Sequence, residues 1–309
     1  MKKVIFIFTI ILLYSCNSGT APEKNNGKSV QNKPKSFNMP EIPSMLSSNE
    51  QISSYVAEHY WDNFDFTDTT YINLPNITEQ AFADYINIMN AIPLTMGISS
   101  INKTMAKAET NRAMFTHFIE LFEKYLHEPN SPMRNEELHI PVLNYIIESD
   151  SVLDIDKIRP NALLEMALKN RMGNIASDFT ITLKSGKTVK LYDIKADYTL
   201  LYFYNPDCHA CAELIAGIKI SGLLSPLIKS GKLKIFAVYP DADLEAWHNH
   251  IAEIPQEWTN GYDAAQVLNN EKSYDLKAIP TIYLLDKDKK VLIKDAAAVQ
   301  PIEAYMMSI

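Results

Sequence analysis

The spacing of apolar positions changes several times along the chain, and each change marks a different kind of segment. Residues 4–13 (VIFIFTIILL) form an unbroken apolar run behind Lys2 and Lys3. Over residues 17–48 large apolar side chains become sparse among Asn, Ser, Lys and Pro. Over residues 50–172 they return at a helical period. Ile52, Tyr55, Val56, His59 and Tyr60 share one stripe; Phe82, Tyr85, Ile86 and Met89 share another, behind the cap signal at Thr78. Residues 102–127 read as one long amphipathic helix with Met105, Ala108, Phe115, Phe118, Ile119, Phe122 and Leu126 on its apolar side, stopped by Pro129 and Pro132. Two further helices are predicted over residues 136–148 and 161–172. Helices without strands imply a small all-α domain over residues 49–172.

From about residue 174 the pattern becomes that of strands. Residues 179–183 and 188–191 flank Ser185-Gly186 and predict a β-hairpin. Residues 199–204 (TLLYFY) and 233–239 (LKIFAVY) are apolar throughout enough of their length to be strands covered on both faces. A helix is predicted from Cys208, another over residues 244–251, an antiparallel pair over 281–285 and 290–293, and a last helix over 302–307. The order hairpin, β-α-β-α-β-β-α predicts an α/β fold with a mixed central sheet over residues 173–309.

Composition narrows the function. A chain of 309 residues has room for two domains, and 47% hydrophobic with 21% charged residues is ordinary for a globular protein. A net charge of −8 argues against nucleic-acid binding and against a polybasic membrane patch. The nine glycines include no G-x-G-x-x-G or Walker arrangement, which argues against nucleotide chemistry.

The first apolar run is too short to span a bilayer core, which needs ~20 residues, and has the flanks of a secretory signal. It leads into Leu13-Tyr14-Ser15-Cys16, which resembles the lipobox of bacterial lipoproteins, with Tyr14 bulkier than usual there. The resemblance implies a signal peptide over residues 1–15, cleavage before Cys16 and lipidation of that cysteine. Two acyl chains would hold where one holds marginally. Residues 16–48 would then be the anchor and a solvated tether, and the protein would face the periplasm from a membrane of the cell envelope.

The remaining cysteines are Cys208 and Cys211, spaced as C-x-x-C. A bridge between them closes a very short loop and so adds little to stability, which points to chemistry as its purpose. They lie in Tyr204-Asn205-Pro206-Asp207-Cys208-His209-Ala210-Cys211, where a buried strand runs through an Asn-Pro turn into a helix. Residues three apart within a helix have Cβ atoms ~5–6 Å apart, whereas a disulfide wants ~3.5–4.5 Å. The first cysteine is therefore expected at the helix entrance and not yet helical. There its thiolate would face free backbone N–H groups and the positive helix end. A protonated His209 would favour that thiolate, and Asp207 would oppose it. Cys208 is thus the candidate nucleophile, and Cys211, one turn inward, the resolving thiol. No cofactor beyond this redox-active disulfide is called for. Two other readings of the pair are a metal knuckle and an inert bridge. A metal would need further ligands, and His248 and His250 are two apart on a predicted helix, where three or four would converge. Ala212 after Cys211 excludes the haem-attachment sequence.

A strand, C-x-x-C at a helix start, and Ala278-Ile279-Pro280-Thr281 entering a late strand resemble the thioredoxin family over about residues 174–309. That resemblance implies a cis-proline at Pro280 opposite the cysteines, with Ile279 and Pro280 receiving an extended substrate segment. The Asn205-Pro206-Asp207-Cys208 sequence resembles the membrane-anchored, TlpA-like branch associated with envelope thiol reduction. This implies a thiol–disulfide oxidoreductase, reducing or isomerising exported proteins, with protein thiols and disulfides as partners and an unidentified upstream electron donor or acceptor. Departures are also present. Asp207 stands where the family has Trp, Tyr202 where cytoplasmic thioredoxins have a buried acid, and Glu213 one position out of register with a working Glu of some envelope relatives. Glu213 is nonetheless a candidate redox-tuning group with His209 and Asp207. The segment His59-Tyr60-Trp61-Asp62-Asn63-Phe64-Asp65-Phe66-Thr67-Asp68 resembles a domain of unknown function that precedes thioredoxin-like domains in Bacteroidota lipoproteins. Two rival activities remain. A peroxiredoxin-like peroxidase would want Thr where Asn205 stands, and a binding lipoprotein would carry the C-x-x-C as a vestige.

Overall fold

A computed structural model describes residues 35–309. The apolar run, Cys16 and most of the expected tether lie outside the described residues. Residues 37–309 form one compact unit. Among the described residues no helix is long and apolar enough to cross a membrane.

Among the described residues six α-helices come first: α1 (Asn49–His59), α2 (Thr78–Ala91), α3 (Leu94–Glu109), α4 (Arg112–Leu126), α5 (Glu136–Glu148) and α6 (Asp154–Leu168). Ser48 and Gln51 form a capping box that starts α1. The stretch expected as one helix over 102–127 is two helices. Asn111 interrupts it and accepts from the amides of Ala113 and Met114 at 3.0 and 3.2 Å, which begins α4 afresh. The last helix begins before Pro160, contrary to expectation, with Asp154 and Asp156 in its first turn and the proline inside it. Tyr60, Trp61, Phe64, Phe66, Phe82, Tyr85, Phe118 and Phe122 are all buried in a single core with Met105 and Leu126. The aromatic segment 59–68 therefore serves packing, and Phe37 lies against it, 5.3 Å from the rings of both Tyr60 and Trp61.

The rest of the chain runs β1 (Thr180–Leu183), β2 (Thr188–Lys190), β3 (Tyr198–Phe203), α7 (His209–Ile220), α8 (Leu224–Lys229), β4 (Leu233–Tyr239), α9 (Leu244–His250), β5 (Thr259–Tyr262), α10 (Val267–Asn270), β6 (Thr281–Asp286), β7 (Val291–Ala296) and α11 (Gln300–Ser308). The sheet order is β2-β1-β5-β4-β3-β6-β7. β3, β4 and β5 run parallel, and β6 and β7 antiparallel to their neighbours. The expected α/β fold with a mixed sheet and a preceding all-α region is the one present. Three elements were not expected: α8, α10 and β5. The last reads Thr-Asn-Gly-Tyr and carries no strand pattern. Its Gly261 fits because a Cβ there would sit 2.6 Å from the Thr182 carbonyl oxygen.

Alternation along β3 divides two cores. Leu200 and Tyr202 face α7, α9 and α11 with Ile235, Ala237, Ile282 and Leu284. Leu201 and Phe203 face the opposite side with Phe236, Val238, Tyr283, Phe179 and Tyr274. The buried members of both apolar clusters lie within residues 176–302, and those of the helical cluster within residues 56–146. The buried cores are thus separate, and polar side chains reach between them: Asn170 donates to the Ser273 carbonyl at 2.8 Å, and Lys294 to the Ala167 and Lys169 carbonyls at 2.9 and 2.7 Å.

Candidate active site

β3 and β4 are adjacent and parallel, so the loops that leave their C-terminal ends share one rim of the sheet. The first loop carries Asn205, Pro206, Asp207 and Cys208; the second leads to α9 and its last residue, His250. Asp207 turns the chain in a left-handed conformation, φ 57°, which Asp tolerates better than most residues. Cys208 follows in extended backbone as the cap of α7, φ −85° and ψ 106°. Its Sγ accepts the Cys211 N–H at 3.2 Å, so the sulfur takes one of the amides that a helix start leaves without a partner. On its other side the Cys208 thiol donates to the Ile279 carbonyl at 3.8 Å. The Ile279–Pro280 bond is cis.

The two thiols are free, Cys208 partly exposed and Cys211 buried. Burial pushes the Cys211 thiol up to about 12, and its hydrogen bond with Cys208 adds to the rise. Beneath it lies a set of aromatic hydroxyls. Tyr202, at the place of the buried acid, donates to the Cys211 carbonyl at 3.2 Å. Its ring stacks on Tyr204 at 5.4 Å and meets Trp258 edge-on at 6.1 Å. Tyr204 donates to Asn260 Oδ1 at 2.7 Å and accepts from the Trp247 indole at 3.0 Å. Burial raises both tyrosines above the usual phenol range. The proton acceptor that a carboxylate would provide is replaced here by groups that stay neutral.

A cleft of about 380 Å³ opens over the sulfurs, lined by both cysteines, Pro206, Asp207, His209, Ile215, His250 and Ile254 among others. His250 Nδ1 lies 2.7 Å from Glu253 Oε1, and Nε2 lies 3.4 Å from Asp207 Oδ1. The Glu253 contact, helped by the Asp207 charge, raises His250 above the usual imidazole value. The structure therefore brings together Cys208, Cys211, Asp207 and His209, with the Ile279 carbonyl beside them. Glu213 stands off the cleft on the exposed side of α7, 3.2 Å from His209. Sequence reasoning missed His250 and Glu253 as cleft residues. It weighed His250 only as a metal ligand beside His248; the available signal was the parallel pairing of β3 with β4, which puts both loops on one rim. Among the described residues no group of three or more His, Cys, Asp or Glu could hold a metal ion.

Comparison with known proteins places this geometry in a family. Residues 15–170 match a domain of unknown function, DUF5106, and residues 196–291 match a thioredoxin-like family. A thioredoxin-like protein from Bacteroides caccae, known as a crystal structure, is 47% identical, with 89% of this chain and 99% of that one covered and a TM-score of 0.86. The chain belongs to the DUF5106 family and ends in a thioredoxin-like domain. The C-terminal domain of an uncharacterized protein from Bacteroides fragilis is 49% identical over 45% of this chain and 98% of that one, with a TM-score of 0.44. The thiol-disulfide oxidoreductase ResA of Bacillus thuringiensis is 27% identical over 143 residues, 46% of this chain and 80% of that protein.

Proposed function

We propose that this DUF5106 protein is a thiol–disulfide oxidoreductase that reduces disulfides of exported proteins, with Cys208 as nucleophile and Cys211 as resolving thiol. One observation carries the reading: the Cys208 sulfur caps α7, takes the Cys211 amide at 3.2 Å and opens on a cleft. Likeness to the thiol-disulfide oxidoreductase ResA supports it. The Cys208 thiolate attacks one sulfur of a client disulfide; a mixed disulfide forms and the other client sulfur leaves as a thiolate. Cys211 gives up its proton, attacks the Cys208 sulfur and releases the second client thiol. The client gains two electrons and the dithiol loses two. A dithiol donor of the envelope then restores Cys208 and Cys211. Cys211 stays protonated until that second step, because burial opposes its charge.

Asp207, His209 and His250 set the charge around the leading sulfur, and the Ile279–Pro280 segment receives the client backbone. Glu213 acts on this site only through His209. Lipid on Cys16 holds the protein to an envelope membrane, with the tether ending before Phe37, which already packs on the helical core; the lipobox-like sequence supports this. The activity is tested by insulin reduction. Wild type is expected to precipitate the insulin B chain, Cys208→Ser to lose all acceleration, and a reduction potential near ~−270 mV to mark a reductant. A potential near ~−120 mV would make it an oxidant instead. Metabolic labelling with a radioactive fatty acid, present in wild type and lost in Cys16→Ser, tests the anchor.

A further inference from the structure

The helical domain touches the loop that faces Cys208. Glu136 opens α5, and its carboxylate meets Lys277 Nζ at 3.1 Å and Lys294 Nζ at 2.5 Å. Lys277 also lies 2.8 Å from Asp275. Two residues before Glu136, Arg134 Nη1 lies 3.2 Å from the Asp295 carboxylate, and Nη2 donates to the Asp295 carbonyl. Asp295 in turn sits 3.4 Å from the Thr281 hydroxyl, which donates to the Ala278 carbonyl at 2.6 Å. Residues 275–281 are therefore gripped on both sides of Ile279 and Pro280. On one side stands Lys277, on the other Thr281.

These are not loose surface pairs. Glu136, Lys277, Lys294, Arg134 and Asp295 have side chains only 8–17% exposed. Burial alone would favour the neutral amine at Lys277, and Glu136 with Asp275 overrides it and raises its affinity for the proton. Truncating Arg134 would take from the buried Asp295 carboxylate the cation it touches, and truncating Glu136 would leave Lys277 with Asp275 alone. A cavity of about 280 Å³ lies beside the charges, so the contact is made by side chains reaching across. No buried apolar cluster spans the two halves, so these ions carry the contact together with the Asn170 and Lys294 hydrogen bonds to backbone carbonyls.

We propose that the helical domain positions the redox site, with Glu136 and Arg134 as positioning residues that hold the 275–281 segment and, through it, the Ile279 carbonyl against Cys208. The effect on turnover rests on the oxidoreductase reading above; the effect on Cys208 reactivity does not. The Ile279 oxygen holds the Cys208 thiol proton and shields the sulfur from one side. Loosening that oxygen exposes the thiol and disorders the edge that receives a client.

The test uses the full chain and compares Glu136→Gln and Arg134→Gln with Glu137→Gln. Glu137 pairs with Arg171 in the link between the two halves and leaves the 275–281 segment untouched. Three quantities are read: iodoacetamide alkylation of Cys208 at pH 7, kcat and KM for insulin, and Tm. Glu136→Gln and Arg134→Gln are expected to speed Cys208 alkylation and to raise KM about tenfold, with kcat changed less. Glu137→Gln should move Tm alone. Unchanged alkylation in both test variants overturns the proposal, as does a matching change in Glu137→Gln at equal loss of Tm. If Glu136→Gln fails to fold, Arg134→Gln, which keeps the Glu136 contacts, decides. If wild type leaves insulin intact while the alkylation pattern holds, the oxidoreductase reading falls and the positioning role stands.

Discussion

Replacing Cys208 by Ser leaves Cys211 as the sole thiol among the described residues and exposes how strongly the fold suppresses it. A thiol near about 12 is ionised in roughly one molecule in 10⁵ at pH 7, against about 3% for an ordinary thiol near 8.5. That difference is about 3.5 orders of magnitude in thiolate. A more basic thiolate is a better nucleophile, and a Brønsted slope of ~0.4–0.5 returns about 1.5 of those orders. The expected net effect is alkylation about a hundredfold slower than an unstructured cysteine peptide at pH 7, before any loss of access. Burial is the largest cause of the shift and survives the substitution; the Cys208 hydrogen bond and charge, which add to it, are lost, so the hundredfold figure is the upper bound. The assay is iodoacetamide labelling followed by mass spectrometry from pH 6 to pH 11 on Cys208→Ser and Cys211→Ser. Cys211→Ser, whose remaining thiol is partly exposed, should label faster than Cys208→Ser at pH 7, and the Cys208→Ser rate should still be climbing at the top of the range. Labelling of Cys208→Ser at the peptide's rate at pH 7 would refute the two-thiol division of labour.

Other consequences follow from single contacts. His139 is buried in α5 and desolvation, with His127 nearby, lowers it to about 3. The unfolded chain binds that proton near ~6.5, so the stabilisation is full above ~6.5 and is lost as pH falls toward 3, by at most ~1.4 kcal/mol per pH unit. Urea titrations from pH 7 to pH 4 should show His139→Gln with a flatter decline than wild type, and equal slopes would refute the assignment. Gly261→Ala should lower the urea midpoint by the equivalent of about 1–3 kcal/mol with an unchanged m value, because its Cβ meets backbone; no change in midpoint would mean that β5 can shift away. In an NMR titration Glu253→Gln should lower the His250 pKa more than Asp207→Asn does, since the carboxylates lie at 2.7 and 3.4 Å. The reverse order would place the controlling charge at the turn before Cys208.

Much of this was readable from residue order. β4 was expected over the residues it occupies, because a heptapeptide apolar at all but Lys234 and lying between polar turns has few alternatives, and Cys208 was expected at a helix entrance from its spacing to Cys211. Short elements were not. β5 has no apolar run and exists because β4 and β1 offer it open edges, a tertiary cause invisible in Thr-Asn-Gly-Tyr. The break between α3 and α4 was present in the sequence as Asn111, but a continuous apolar stripe on both sides hid it. His250 reached the cleft through strand pairing, and Glu136 reached Lys277 through the packing of two halves far apart in the chain. Neither follows from a local pattern.

In the proposed function the Cys208 sulfur exchanges with client disulfides while Cys211 waits behind it. Cys211→Ser protein incubated with a disulfide-bonded client, quenched in acid and digested, gives the most direct reading. A stable mixed disulfide located on Cys208 is expected. A protein that forms no adduct at Cys208, under conditions where a small dithiol reduces the same client, would contradict it.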